Sequence, residues 1–315
     1  MQVIKIKEPI DYQKIPSSNV ALAMGFFDGV HKGHQDVINE AKKQAQQNHL
    51  KLAVMTFDRY PKIYYKHLDE SKIRYLTTVS ERLALFEKMG VQIAYVAQFD
   101  KKLASLTPQD FVNKYMIGLH VRVVVAGFDY TYGDPKVANV QLLPQYAHEK
   151  FKTVIVSCHA YHEEKIGTTQ LKKMLDEGQI EKVNHLLGHP FTFEGEVVHG
   201  KARGRKLGFP TLNIKAAPEQ RLPMTGIYAV RVKYDGQWYQ GMASVSHNET
   251  FGENLPLTVE INLFNFNKMI YGAKVEIEWE KYLRSPVKFE SPAQLIAQLK
   301  ADKKCVQKYF AGQTF

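Results

Sequence analysis

Two stretches of this 315-residue sequence combine residue types that handle phosphate. The first, Gly25-Phe26-Phe27-Asp28-Gly29-Val30-His31-Lys32-Gly33-His34, spaces three glycines four apart and two histidines three apart. Glycines let a backbone approach a phosphate closely, and a helix that starts there offers N–H groups and the positive end of its dipole. His31 and His34 can both donate hydrogen bonds as negative charge gathers on a departing pyrophosphate, so group transfer needs no protein nucleophile. Taken singly, a glycine-rich turn is a common connection, and histidines three apart also suit a metal pair or plain surface chemistry. The spacing is not a Walker loop, because it lacks Gly-Lys-Ser/Thr after four spaced residues, and it is not a dinucleotide fingerprint.

The second stretch, Gly195 to Ile214, is rich in glycine and basic residues and ends in Phe209-Pro210-Thr211-Leu212-Asn213. Gly200, Lys201 and Arg203, with Arg205 and Lys206 beyond them, can wrap a triphosphate. A nucleic-acid patch or a solvated charged loop would read similarly. The Thr211 hydroxyl and the Asn213 amide, two residues apart, can reach a magnesium ion and phosphate oxygens together, which makes them the candidate metal ligands.

Both stretches need elements to position them. Up to about residue 187, short apolar runs at Val20–Met24, Leu50–Phe57, Ile93–Phe99, Val121–Ala126 and Thr153–Val156 alternate with helical patterns at His34–Asn48, Glu81–Lys88 and Pro108–Leu119. Ser80 and Thr107 stand as caps for the last two. This rhythm predicts a doubly wound α/β domain, with the first glycine-rich stretch on a strand-to-helix turn at the carboxyl edge of its sheet. Short helices are expected at Thr168–Glu177 and Glu181–Leu187. Beyond Gly188-His189-Pro190 the pattern turns β-rich, at Phe193–His199, Gly226–Tyr234, Gln237–Ser246, Leu257–Leu263 and Lys274–Trp279, as in a small antiparallel barrel. Leu295, Ile296, Leu299 and Val306 then follow helical spacing after Ser291-Pro292, so a C-terminal helix should pack on the barrel. The expected domains are 1–187 and 188–315.

The bulk figures suit such a protein. Hydrophobic residues make up 44% and charged residues 23%, and the formal net charge is +10, a field that attracts anions. The lysines are dispersed, as in Lys42-Lys43 and Lys303-Lys304, so no nucleic-acid partner is expected. Two distant cysteines, Cys158 and Cys305, build no disulfide framework, and neither a leader nor a membrane span is evident. A cytoplasmic protein acting on small molecules is the expectation, and the sequence specifies no oligomeric state.

The His-x-Gly-His core resembles that of nucleotidyltransferases, and the fuller Gly25–His34 string is similar to the N-terminal motif of bacterial bifunctional riboflavin kinase/FAD synthetases. Thr56-Phe57-Asp58-Arg59-Tyr60-Pro61 and Gly127-Phe128-Asp129-Tyr130-Thr131-Tyr132-Gly133 resemble two further segments of that family, in the same order. The 195–214 stretch is closely similar to the riboflavin kinase signature, and Val259-Glu260-Ile261-Asn262-Leu263 resembles the strand carrying that enzyme's base.

The resemblance implies a Rossmann-like α/β nucleotidyltransferase domain followed by a riboflavin kinase β-barrel with a C-terminal helix. ATP would phosphorylate riboflavin to FMN, and a second ATP would adenylylate FMN to FAD, with Mg2+ as cofactor. Gly25, Phe27, Asp28, Gly29, Gly33, Thr168, Thr169 and Lys172 would bind ATP in the first domain, and Gly200, Lys201 and Arg203 in the second. His31 and His34 would be catalytic for adenylyl transfer and Glu260 for phosphorylation. Phe57, Asp58, Pro61, Asp129, Tyr130 and Arg284 would bind flavin. Without the resemblance, Glu260 reads as an outward surface glutamate and Arg284 as a solvated charge.

Three departures from the family pattern stand out. Gly167-Thr168-Thr169-Gln170-Leu171-Lys172 replaces Ser-Ser-Thr-x-Ile-Arg, losing a hydroxyl and the bidentate fork of arginine. His247-Asn248-Glu249-Thr250 lacks the usual proline, and Asn262 stands where histidine is usual. The first of these leaves open a flavin-binding regulator, or a riboflavin kinase whose adenylyltransferase site is weakened.

Overall fold

The structure is a computed structural model that describes residues 1–157, 160–161, 164–165, 167–200, 204, 207–247 and 257–312. Lys201, Arg203, Cys158 and residues 248–250 lie outside the described residues. The chain forms two compact units, Met1–Ile73 with Val79–Gly167, and Arg74–Thr78 with Thr168–Phe315.

The first unit is built on a six-stranded sheet whose strands all run parallel. They are β1 (Gln2–Ile6), β2 (Val20–Met24), β3 (Lys51–Phe57), β4 (Ile93–Ala97), β5 (Val121–Gly127) and β6 (Lys152–Val156), in the order β1-β4-β3-β2-β5-β6. A parallel sheet needs crossovers that cover both faces, and so its central strands are apolar along their whole length. Every residue of β2 is buried.

The crossover elements are α1 (Lys32–Gln47), α2 (Lys62–Tyr65), α3 (Val79–Lys88), α4 (Lys101–Ala104), α5 (Pro108–Tyr115) and α6 (Leu143–Ala147). Alternation along the strands sends Ala21, Ala23, Val54 and Val125 to one face, against Val37, Ile38 and Ala41 of α1 and Phe86 of α3. Leu22, Met24, Met55 and Val124 go to the other face, against Phe111, Val112 and Tyr115 of α5. After β4 the chain crosses to the far side of β2, so the strand order reverses beside β2. The carboxyl ends at such a reversal form the ligand crevice of open α/β sheets.

Local signals explain most helix starts in this unit. The Thr107 hydroxyl accepts the Asp110 N–H at the head of α5, as a capping threonine should. Ser80, expected as a cap, instead lies inside α3, which begins at Val79. The helix expected over Pro108–Leu119 ends at Tyr115 and continues as a 3-10 turn over Ile117–Leu119. β1 was not among the expected strands. It is an edge strand in which only Ile4 and Ile6 are buried, alternating with exposed residues. A small hairpin of β7 (Ala160–Tyr161) and β8 (Glu164–Lys165) closes the unit.

The second unit contains α7 (Thr168–Asp176), α8 (Ile180–Leu187) and a closed antiparallel barrel. Its strands are β9 (Phe191–Val198), β10 (Leu212–Ala216), β11 (Gly226–Tyr234), β12 (Gln237–His247), β13 (Leu257–Leu263) and β14 (Lys274–Arg284), ordered β10-β13-β12-β11-β14-β9. β10 was not expected as a strand, yet it closes the barrel by pairing with both β9 and β13. The C-terminal helix α9 (Pro292–Ala311) is capped by the Ser291 hydroxyl, which accepts the Gln294 N–H. It lays Val306 and Phe310 on Ala229, Met242 and Phe264 of the barrel's outer surface. Among the described residues, no helix is long and apolar enough to cross a membrane.

Candidate functional site

The loop Gly25–His31 leaves the end of β2 and runs straight into α1, as the glycine spacing requires. Phe27 (φ 56°), Gly29 (φ 81°) and Val30 (φ 42°) all adopt left-handed backbone conformations, a costly arrangement for phenylalanine and above all for β-branched valine. The Phe27 ring explains part of this. It is buried edge-on to both His34 and Phe86, so Phe27 can meet a phosphate only through its backbone. A Cβ on Gly25 would fall 2.9 Å from that ring, so only glycine fits at the start of the loop.

His31 caps α1. Its Nδ1 accepts the His34 N–H at 3.3 Å, which leaves Nε2 to carry the hydrogen in the neutral ring. The two imidazoles stack with centroids 3.6 Å apart. Burial lowers the His34 pKa well below the usual histidine value, and the nearby charges of His31 and Arg82 push it the same way. His34 is therefore a neutral ring in the folded protein at neutral pH. Asp28 is buried within the loop, and Gly33 lies in the first turn of α1.

The carboxyl ends of β3 and β5 flank that of β2, so the Thr56–Pro61 and Gly127–Gly133 segments stand on either side of the loop. Their candidate residues divide by environment. Phe57 is a core residue, its ring edge-on to Phe99. Asp58 accepts the Phe99 N–H at 2.8 Å and pairs with Arg59. Pro61 heads the short helix α2, while Asp129 is exposed and Tyr130 half-buried.

Next to them is a cavity of about 420 Å³ lined by Tyr65, Leu106, Pro108, Tyr132, Pro135 and Val137, among others. Tyr132 stacks on Phe111 at 5.2 Å and on Tyr130 at 6.3 Å. The cavity is thus lined by two tyrosine rings and aliphatic side chains, together with Asp134. Tyr132 belongs to the Gly127–Gly133 segment, whereas Tyr65 lies outside every motif in the sequence.

Thr168, Thr169 and Lys172 occupy the first turns of α7, which belongs to the second unit, and Lys172 lies over the ring of Tyr75 at 5.7 Å.

The barrel site lies on the outer surface of β10, β12 and β13. Val259, Ile261 and Leu263 of β13 are buried inward, so Glu260 and Asn262 face outward. Asn213 lies directly opposite Glu260 across the β10–β13 ladder, and Thr211, two residues earlier, shares its face. The Thr211 hydroxyl donates to Glu260 Oε2 at 3.3 Å. A Cβ on Gly200 would fall within 2.4 Å of the Asn213 amide, so the glycine allows β9's outgoing strand to pass against that side chain.

Asn262 donates to the Pro210 carbonyl at 2.7 Å, and Phe209 packs with the cluster beneath α9. Asparagine in place of the usual histidine therefore still pins the Pro210–Thr211 segment. Arg284 grips Asp302 of α9 with two hydrogen bonds, at 2.9 and 2.6 Å, and gives a third to the Ser285 carbonyl. Its planar fork is engaged with the helix.

A parallel α/β unit with a His-x-Gly-His loop at its strand-order reversal, joined to a closed barrel carrying Pro-Thr-x-Asn opposite a glutamate, defines a chain with two separate nucleotide-phosphate sites. Comparison with known proteins gives the same division. A family model described as FAD synthetase matches residues 13–170, and one described as riboflavin kinase matches residues 187–310. A bifunctional riboflavin kinase/FMN adenylyltransferase of Listeria monocytogenes is 39% identical, with 99% of each chain covered. The Bacillus subtilis protein of the same description is 36% identical over 99% of each. A Streptococcus pneumoniae crystal structure described as a macrolide-efflux protein superposes with a TM-score of 0.89 at 34% identity, covering 98% of this chain and 99% of that one. The chain belongs to the bifunctional riboflavin kinase/FMN adenylyltransferase family.

Proposed function

We propose that this protein makes FAD from riboflavin in two ATP-dependent steps, each run by one unit. The observation that carries the reading is the match of two family models to separate stretches, residues 13–170 and residues 187–310.

In the barrel, the ribityl 5′-hydroxyl of riboflavin attacks the γ-phosphorus of ATP while Glu260 accepts its proton, and ADP leaves. What supports this role is that Glu260 already accepts a hydrogen bond from one hydroxyl, that of Thr211. Thr211 and Asn213 suit magnesium. They present neutral oxygens two residues apart, and among the described residues no group of three histidine, cysteine or acidic side chains is placed to hold a metal. Phosphate oxygens and water would complete such a shell. Magnesium there supplies charge compensation for the transferring phosphoryl group. Gly200, and by resemblance Lys201 and Arg203, hold the triphosphate. Arg284 acts on flavin binding by fixing α9 rather than by reaching the ring.

In the α/β unit, a phosphate oxygen of FMN attacks the α-phosphorus of ATP and pyrophosphate departs. His31 and His34 donate hydrogen bonds to the phosphates, His34 from a neutral ring, beside the N–H groups that open α1. Gly25, Gly29 and Gly33 give the backbone room to approach the phosphates. The cavity at Tyr65 and Tyr132 suits the isoalloxazine ring, with Tyr130 stacked on Tyr132.

The test is chromatography of the flavins formed from riboflavin, ATP and Mg2+ by the purified protein. FMN followed by FAD is expected. FMN alone would favour the weakened adenylyltransferase that Gly167 and Lys172 suggest, and tight flavin binding with no product would favour a regulator.

A further inference from the structure

Arg82 lies on the first turn of α3, outside every motif recognised in the sequence, and its side chain is fully buried. Its NH1 donates to the Phe26 carbonyl at 2.7 Å and to the Thr56 hydroxyl at 2.7 Å, while that hydroxyl itself donates to the Phe26 carbonyl at 2.8 Å. The guanidinium also lies over the Phe26 ring, 4.5 Å from its centroid. One side chain thus grips Phe26 by backbone and ring and ties the loop after β2 to the end of β3. The residue it grips directly precedes Phe27, the first of the left-handed residues in the phosphate loop. Strained backbone of this kind persists only where its surroundings over-determine it.

A neutral amide could hold a carbonyl without the cost of burying a charge. The charge itself reaches the site, because Arg82 is one of the two charges acting on His34, the other being His31.

We propose that Arg82 is a positioning residue for adenylyl transfer, holding the Gly25–His34 loop in its ATP-receiving shape from beneath and keeping a fixed positive charge behind the bound phosphates. It acts through Phe26, Thr56 and His34, since full burial keeps it from the substrate. The inference rests on the reading of this loop as the FMN adenylyltransferase site.

The test compares Arg82→Met and Arg82→Lys in the full chain. Misplacing reacting groups by about 1 Å costs roughly 100-fold. Arg82→Met should lose about that in kcat/KM for FMN adenylylation, mostly in kcat, with riboflavin phosphorylation unchanged. Arg82→Lys keeps the charge and a donor and should recover about tenfold of the loss. NMR titration of the His34 imidazole should show its pKa rising in Arg82→Met and not in Arg82→Lys. Adenylylation at the wild-type level in Arg82→Met, equal losses in the two variants, or an unchanged His34 titration would overturn the proposal. Should Arg82→Met not fold, Thr56→Val serves with Arg82→Lys. Each should then lose about tenfold, and full activity in both would overturn it. If the wild-type chain does not adenylylate FMN, the reading of the site fails, and the His34 titration still decides whether Arg82 acts on it.

Discussion

A carboxylate can take a proton from a hydroxyl only within hydrogen-bond reach, and Glu260 holds the Thr211 hydroxyl at 3.3 Å on a solvent-exposed face. Glu260→Gln keeps the shape and an oxygen acceptor for Thr211 but removes the base. Riboflavin phosphorylation should therefore fall by about 100- to 10,000-fold, the usual contribution of a positioned base, while adenylylation of supplied FMN is unchanged. Separate assays with riboflavin and with FMN measure the two effects, and a loss of less than about tenfold in phosphorylation would remove Glu260 from the role of base. Thr211, Asn213 and the two histidines stand in short motifs whose residue types point to phosphate and metal chemistry, whereas Glu260 is singled out only by the family resemblance. Arg82 and Tyr65 lie outside every such motif. An arginine in an amphipathic helix reads as solvated surface, and only the fold turns it inward onto Phe26. Phe27 and Phe57 show the converse. They sit inside phosphate and flavin motifs, yet their rings belong to the core.

At the scale of elements, the sequence showed the continuously apolar strands and the periodic helices, and missed β1 and β10, whose polar residues interrupt the apolar run. β10 spans five residues just after the glycine-rich loop, and no alternation in five residues separates it from that loop. Its pairing with β13 is what places Asn213 opposite Glu260, so the barrel site depends on a strand that only tertiary structure specifies. The helix α9 was foreseen, but not how it is fastened. Asp302 is buried on α9 and takes a two-pronged grip from Arg284, at the end of β14. Removing one member of a buried pair leaves the other charge uncompensated, at a cost of about 3–5 kcal/mol when both are fully enclosed. Arg284 keeps about a fifth of its side chain in water, so Asp302→Ala should destabilise the barrel unit by about 2–4 kcal/mol. Thermal unfolding should show that loss, and phosphorylation should fail at a lower temperature than adenylylation. Equal heat sensitivity of the two activities would count against α9 as a fastening specific to the barrel.

At the scale of the molecule, each unit has its own hydrophobic core, and FMN is the product of one site and the substrate of the other. Nothing in either set of site residues needs FMN to be handed over directly. A chain with Glu260→Gln keeps the adenylyl-transfer loop intact, and a chain with His31→Ala keeps the barrel site intact. Either variant alone should make almost no FAD from riboflavin. Mixed, they should restore it after a lag while FMN accumulates, since FMN released by the His31→Ala chain can diffuse to the loop of the other. Added FMN should abolish the lag without raising the final rate. If the mixture makes no FAD while each variant retains its one expected activity, FMN must pass within a single chain, and the two sites are coupled in a way that their separate residues do not require.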